Sequence, residues 1–271
     1  MSLEDALVIV NKFIDKMGYM NNPHVLGCFF YGSHLTGFAR PDSDIDLHII
    51  FDDSDPFHIV RGNDEIDDKQ IEYFEKPLHE MYVTADNDFE NQRNALLSII
   101  GTSMIVFDKT GDMEALQEYV FNKFLEDMPP LNKEKARELV SIMNNRMERL
   151  ERMVSYGDLY FLHLYHLTLE KIRKFYHKLT GCPDIQTCKV YRIYTDQKFR
   201  ESFHKYKIPD EEFIGMFLTA ACDRHSDDVA LFEKLKKIYA YATRDIELGD
   251  TYRINIQTRN MVPHNEINRQ S

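Results

Sequence analysis

The sequence predicts an α+β protein, in which a mixed sheet flanked by helices is followed by an α-helical bundle. Two apolar runs with strand character, 25–31 and 45–51, flank a turn-rich segment near the N-terminus. Beyond Met128-Pro129-Pro130 the pattern is almost purely helical, with apolar residues every three to four positions. We therefore predict a first domain over 1–128, a bundle over 129–248 and a tail of low periodicity over 249–271.

The first domain should begin with a helix over 3–17 that covers one face of the sheet. The acidic stretch 52–69 is predicted to be a loose hairpin or a flap, and its charges are interpreted as solvated rather than as metal ligands. The further elements expected are a strand over 70–75, a helix over 86–100, a strand over 104–107 and a helix over 113–124.

The bundle is predicted to contain about five helices. The two longest lie over 133–156 and 158–179, and their Met and aromatic stripes indicate a core rather than a ligand cage. The histidines on these helices have no Cys or carboxylate partner at metal spacing, which favours structural or surface roles for His163, His166 and His177. The remaining helices are expected around 197–205, over 210–224, and over 226–246 with Ser226 as its N-cap.

Composition restricts the partners. The 271 residues include 45 acidic and 33 basic side chains, for a formal charge of −12. This charge counts against a nucleic-acid partner, because such binding depends on basic contacts to phosphate, and it favours a small or cationic ligand. Four cysteines without metal-ligand spacing, no signal peptide and no membrane-spanning apolar stretch predict a cytoplasmic protein without membrane contact.

The second strand carries candidate metal ligands. Because side chains alternate along a strand, Asp44 and Asp46 point away from the core face, which is formed by Ile45, Leu47, Ile49 and Phe51. Carboxylates at i and i+2 lie about 6.5–7 Å apart, a separation that suits one divalent ion or a pair of ions. Two like charges at a strand start are costly unless a cation offsets them. The pattern predicts a Mg²⁺ site of one or two ions at Asp44 and Asp46, with Mn²⁺ as an alternative.

The turn before this strand carries candidate phosphate-binding groups. Gly32 permits close backbone approach, and Ser33 opens a short predicted helix over 33–38 whose free amides attract phosphate oxygens. Ser43 and Arg40 lie in the linking loop and are further candidates for phosphate contact, with a solvated arginine as the alternative for Arg40.

Together, Gly32-Ser33, Gly37 and Ser43-Asp44-Ile45-Asp46-Leu47 resemble the signature of the DNA polymerase β-like nucleotidyltransferase superfamily. The similarity is to its small bacterial members, which include the aminoglycoside and lincosamide nucleotidyltransferases. It implies Mg²⁺-dependent transfer of a nucleoside monophosphate, AMP in the first place, from an NTP such as ATP to a hydroxyl of a small-molecule acceptor. The reaction would release pyrophosphate. The acceptor, for example an antibiotic, is then expected to bind between the two domains.

The resemblance also implies a third carboxylate on a strand next to the Asp pair. Glu72 in the strand 70–75 is our choice, Glu80 in the next short run 79–84 is its competitor, and Glu75 is the weakest candidate. The third carboxylate either completes the metal shell or acts as general base toward the acceptor hydroxyl, and the sequence leaves both roles open.

Two other functions remain to be distinguished. One is an antitoxin-like nucleotidyltransferase that modifies a protein or tRNA, and the acidity of the chain counts against tRNA. The other is a non-catalytic nucleotide-binding regulator. The presence of both Asp44 and Asp46 argues against it, because a site that has lost catalytic activity need not keep both carboxylates. The sequence leaves open whether the protein is a monomer or a homodimer.

Overall fold

A computed structural model of the chain describes residues 1–202 and 207–247. The predicted tail over 249–271 lies outside the described residues. The described part confirms the α+β fold, because a mixed sheet with helices precedes a helical region. None of the helices in these two ranges is both long and apolar enough to cross a membrane.

The sheet has five strands in the order β3-β4-β2-β1-β5. Strands β2 and β4 are parallel, while the pairs β1–β2, β1–β5 and β3–β4 are antiparallel. The predicted strands are therefore present, and the acidic stretch contributes an edge strand to a hairpin. The strands are β1 (Val25–Tyr31), β2 (Ile45–Phe51), β3 (Val60–Ile66), β4 (Lys69–Pro77) and β5 (Met104–Asp108).

Helices cover the sheet unequally. The N-terminal helix lies on the face that carries the apolar residues of β2, and it forms one core with them. Three later helices bury the other face around Phe29 and Ile50, but leave the end of that face near Asp46 outside their core. The helices of this domain are α1 (Leu3–Met17), α2 (Ser33–Thr36), α3 (Leu78–Glu90), α4 (Ala95–Gly101) and α5 (Asp112–Leu125).

One prediction for this domain is wrong in detail. The single helix expected over 86–100 is two helices, because the chain adopts a left-handed φ of 54° at Gln92 and α3 ends before it. The short run 79–84, which carries Glu80, lies in α3, since Pro77 ends β4 and forms the N-cap of that helix.

The bundle has one apolar core shared by its long helices. Its predicted helices are present in the described residues, although 203–205 of the helix expected around 197–205 lie outside them. Residues 190–195 form an additional short helix that the periodicity did not reveal. Ser226 is not the N-cap of the last helix, because the Asp227 carboxylate accepts from the Ala230 amide at 2.8 Å. The helices are α6 (Lys133–Tyr156), α7 (Phe161–Leu179), α8 (Val190–Thr195), α9 (Gln197–Glu201), α10 (Glu211–Ala221) and α11 (Asp228–Thr243).

The bundle histidine with the most contacts is structural, as expected. His177 is fully buried, and its ring nitrogens lie 2.8 Å from the Pro183 carbonyl oxygen and 2.5 Å from the Tyr194 hydroxyl. Burial lowers the pKa of His177 to about 4. A neutral ring that satisfies two polar neighbours holds the chain after α7 in place.

Candidate functional site

The strand register places a third carboxylate beside Asp46. On β2, Asp46 pairs with Tyr31 of β1 on one side and with Glu72 of β4 on the other. Residues in register on neighbouring strands point to the same face and lie about 4.8 Å apart. Tyr31, Asp46 and Glu72 therefore form one row across the face of the sheet that α3–α5 leave uncovered at this end.

The same register separates the other two glutamates from this row. Glu75 points to the opposite face, where it is buried, accepts a hydrogen bond from the Tyr19 hydroxyl at 2.5 Å and lies 2.7 Å from the His58 ring. Glu80 follows Pro77, whose partner on β2 is Phe51, at the end of that strand remote from Asp46. Glu72 is thus the only one of the three candidate glutamates next to Asp46, and its chemical role stays a prediction.

The two aspartates differ in environment. Asp44 is exposed just before β2, whereas Asp46 is partly buried. Burial in the first place, and then the charges of Glu72 and Asp44, raise the pKa of the Asp46 carboxyl to about 7, against the opposing charge of Lys189. When Asp46 and Glu72 are both ionised, the row therefore carries an excess of negative charge that a proton or a cation would offset.

Gly32 is required by the Asp46 carboxylate. Its φ of 93° and ψ of −159° lie in a region that is essentially restricted to glycine. A Cβ at this position would collide with the carboxylate of Asp46. The backbone of Gly32 thus lies directly against Asp46, and Ser33 begins the short helix α2 beside it, so the structure brings the predicted phosphate turn and the predicted metal ligand together.

The loop from α2 to β2 is tied by its own polar groups. The Ser43 hydroxyl accepts from the Arg40 amide at 2.8 Å, and the Ser43 amide donates to the Arg40 carbonyl at 3.1 Å. The Lys69 ammonium donates to the Pro41 carbonyl at 2.7 Å. The observed contacts of Ser43 shape the loop, and the exposed Arg40 keeps its side chain at the surface.

Two cations near the row were missed at the sequence level. Arg61 on β3 donates from Nε to Glu72 at 2.8 Å, and its guanidinium lies 5.3 Å above the ring of Phe74. Arg61 lies within the acid-rich stretch 52–69, where the many charged side chains hide the alternating pattern of a strand. Lys189 ends a 3₁₀ turn over 187–189 in the bundle, and no local pattern connects it with β2.

An uncharged histidine, His48, lies two residues after Asp46 on the same face of β2. His48 is buried and stacks on Phe74 at a centroid distance of 5.2 Å, next to Tyr31. Burial lowers its pKa to about 3, with a smaller contribution from Lys76. The His48 ring is therefore neutral at physiological pH, so it adds no charge to the site.

The donor set fits a hard divalent cation. Asp44 and Asp46 supply carboxylate oxygens, and the raised pKa of Asp46 marks a charge that such an ion would stabilise. Within residues 1–202 and 207–247, no three His, Cys, Asp or Glu side chains form a metal-binding group of their own. Two carboxylates suffice for Mg²⁺ when substrate phosphates complete its coordination.

Comparison with known proteins matches part of the chain to one family. Residues 16–109 match the family model described as polymerase beta, nucleotidyltransferase. A search with the sequence finds no curated protein that matches. Among solved structures, the chain is similar to a nucleotidyltransferase-like protein from Exiguobacterium sibiricum, with 9% identity, 88% of this chain and 74% of that chain covered, and a TM-score of 0.47. A likeness this distant carries no information on substrates.

Proposed function

Residues 16–109 of this chain are a domain of the polymerase β nucleotidyltransferase family, and from that premise we propose that the protein transfers a nucleoside monophosphate from an NTP to a hydroxyl of a small acceptor. The observation that carries the proposal is the position of Asp46. It stands in register with Glu72, against the backbone of Gly32, and its pKa is raised to about 7.

In the proposed reaction the acceptor oxygen attacks the α-phosphorus of the NTP. A new P–O bond forms, the bond between the α-phosphorus and the bridging oxygen breaks, and pyrophosphate leaves. Glu72 accepts the proton of the acceptor hydroxyl, while backbone amides at Gly32 and Ser33 hold phosphate oxygens. Catalysis then consists mainly of positioning and charge stabilisation.

Asp44 and Asp46 would hold Mg²⁺, or Mn²⁺ in its place. When bound, the ion neutralises charge on the triphosphate and on the leaving pyrophosphate. Lys189 supports the same charge balance from the bundle side, since its charge acts on Asp46.

We further propose ATP as the donor and a small, preferably cationic, acceptor bound between sheet and bundle. The net charge of −12 and the carboxylates of the site favour a cation and disfavour a polyanion. An antibiotic with several amino groups is one acceptor of this chemistry.

The test is pyrophosphate release from each NTP with Mg²⁺ across a panel of aminoglycosides, lincosamides, tRNA and cell-extract protein. Asp46→Asn should lower turnover about a hundredfold or more with the fold intact, because charge stabilisation worth several kcal/mol is lost. Asp42→Asn is the matched control, since it removes the same charge from an exposed position in the adjacent loop. Full activity of Asp46→Asn would refute the assignment, and release that requires tRNA or protein would replace the small acceptor.

A further inference from the structure

Phe38 connects the loop of the candidate site to the helical bundle. It lies in the loop 37–44, between the short helix α2 and strand β2. Among the apolar side chains of residues 1–128 that the structure describes, Phe38 alone packs against the core of the bundle. Its ring meets the ring of Phe199 edge to face, with the centroids 4.9 Å apart.

Arg192 completes this contact from α8. Its guanidinium carbon lies 4.3 Å from the ring centroid of Phe38 and 4.1 Å from that of Phe199. Asp196 stands one helical turn further on, with its carboxylate 3.6 Å from the guanidinium. A cation held over two rings attracts both through their quadrupoles, so Arg192 fastens Phe38 to the bundle. We refer to Phe38, Arg192 and Phe199 as the aromatic latch.

The latch acts on a loop with few other attachments. The Phe38 amide donates to the Ser33 carbonyl at 3.1 Å, so the latch is tied directly to the predicted phosphate turn. Toward β2, the loop is held by Lys69 at the Pro41 carbonyl and by His34, whose ring nitrogen lies 3.3 Å from the Ser43 carbonyl oxygen. Without Phe38, none of the loop's apolar side chains is anchored in the bundle core.

We propose that Phe38, held by Arg192 and Phe199, is a positioning residue that sets the geometry of Ser33 and Asp44. Nucleotide affinity then depends on a contact made in the other domain. This inference rests on the proposed function and extends it, because the bundle is also the proposed acceptor side. A displacement of α8 would therefore be transmitted through the latch to the two ends of the loop 37–44.

The experiment measures the Kd of ATP with Mg²⁺ by calorimetry, together with the melting temperature. Phe38→Leu and Arg192→Gln should each weaken binding about tenfold. The double variant should be no weaker than either single one, because both changes remove the same contact. Arg192→Lys keeps a cation near the rings and should recover part of the affinity.

Arg244→Gln is the matched control. The Arg244 guanidinium carbon lies 3.8 Å from the ring centroid of Tyr241 at the end of α11, so this change removes a cation–π contact of the bundle that involves no residue of the loop 37–44. It should leave the Kd unchanged. Equal Kd values for wild type, Phe38→Leu and Arg192→Gln would overturn the proposal and reduce the latch to a packing contact.

Failure of the proposed function would be recognised separately. If the wild-type protein binds no NTP with Mg²⁺, the nucleotide site itself is refuted, and the latch is then decided by hydrogen exchange of the segment 33–46. About tenfold faster exchange in Phe38→Leu and Arg192→Gln, but not in Arg244→Gln, would support the positioning role. Unchanged exchange would overturn it.

Discussion

At the scale of single residues, Asp46 links the site to the stability of the protein. The unfolded chain releases this proton near the ordinary aspartate pKa of about 3.9, whereas the folded protein holds it up to about 7. Between these values the folded state binds more protons, so the free energy of unfolding falls as the pH rises from about 4 to about 7. The carboxylate that the proposed chemistry needs therefore destabilises the metal-free fold.

Asp46→Asn should relieve this cost. In EDTA, we expect its Tm to exceed that of wild type by about 2–4 °C at pH 8, from about 1 kcal/mol after allowance for solvent screening. The difference should be smaller at pH 5, where folded Asp46 is already protonated. Added Mg²⁺ should raise the Tm of wild type at pH 8 more than that of the variant. A difference that does not grow with pH would contradict the raised pKa.

Gly32 yields a second prediction at this scale. Gly32→Ala introduces a Cβ into the space of the Asp46 carboxylate and a backbone conformation that alanine rarely adopts. We expect a loss of about 1–3 kcal/mol in the free energy of unfolding in urea, together with loss of activity. Gly37→Ala is the control, because Gly37 also has positive φ, 73°, but open space around its Cβ position. It should lose stability without displacing Asp46, and equal activity losses in both variants would count against the steric argument.

At the scale of elements, the hairpin of β3 and β4 supplies Glu72 and Arg61 and is tied to α1. Acids of the hairpin meet lysines of that helix, with Asp64 at 2.7 Å from Lys16 and Asp67 at 2.5 Å from Lys12. These pairs are largely exposed and contribute little individually. The turn between the strands is the weaker point, because two successive residues there have positive φ.

Asp68→Gly should therefore stabilise the hairpin. Asp67 and Asp68 have φ of 50° and 59°, and the pair Ile66–Lys69 brackets them as a two-residue turn. Such a turn favours glycine at its second position, so we expect a gain of about 0.5 kcal/mol in the free energy of unfolding. Urea denaturation measures it, with Asp68→Ala as the control that should lose stability. A loss in Asp68→Gly would mean that the Asp68 side chain itself stabilises the turn.

At the scale of the whole molecule, Gln92 joins the two halves of the chain. The side-chain amide of Gln92 donates to the backbone carbonyls of Pro129 and Lys178 at 2.6 and 2.8 Å. The backbone carbonyl of Gln92 accepts from the Asp184 amide at 3.1 Å. Gln92 is buried, so these groups have little access to water. The left-handed residue that divides α3 from α4 is thus also a connection to the bundle.

Gln92→Ala should remove the donor of the Pro129 carbonyl and cost about 1–2 kcal/mol in the free energy of unfolding, since the Lys178 carbonyl still accepts from the Leu131 amide. It should also broaden the urea transition, because the sheet domain and the bundle lose a shared contact. Gln197→Ala is the control, since the Gln197 side-chain amide donates to Glu201 on the surface, and it should change stability by about 0.5 kcal/mol or less. An unchanged transition in Gln92→Ala would show that other contacts couple the domains.

The sequence by itself determined the strands that carry the site, the fold class and the family resemblance. Alternation along 45–51 and the glycine before Ser33 are local patterns, and local backbone sterics translate them directly into a strand and a turn. The helix predicted over 86–100 is in fact two helices, and the sequence does not reveal the break at Gln92 because that position carries neither Gly nor Pro.

Only the tertiary structure decided which glutamate stands beside Asp46, which cations face the row, and where Phe38 is anchored. The choice of Glu72 depends on the parallel register of β2 and β4. Lys189 and Arg192 reach the site by the docking of a segment about 150 residues away along the chain. Contacts between residues so far apart leave no period in the sequence, because they are set by how whole elements pack and not by the conformation of any one of them.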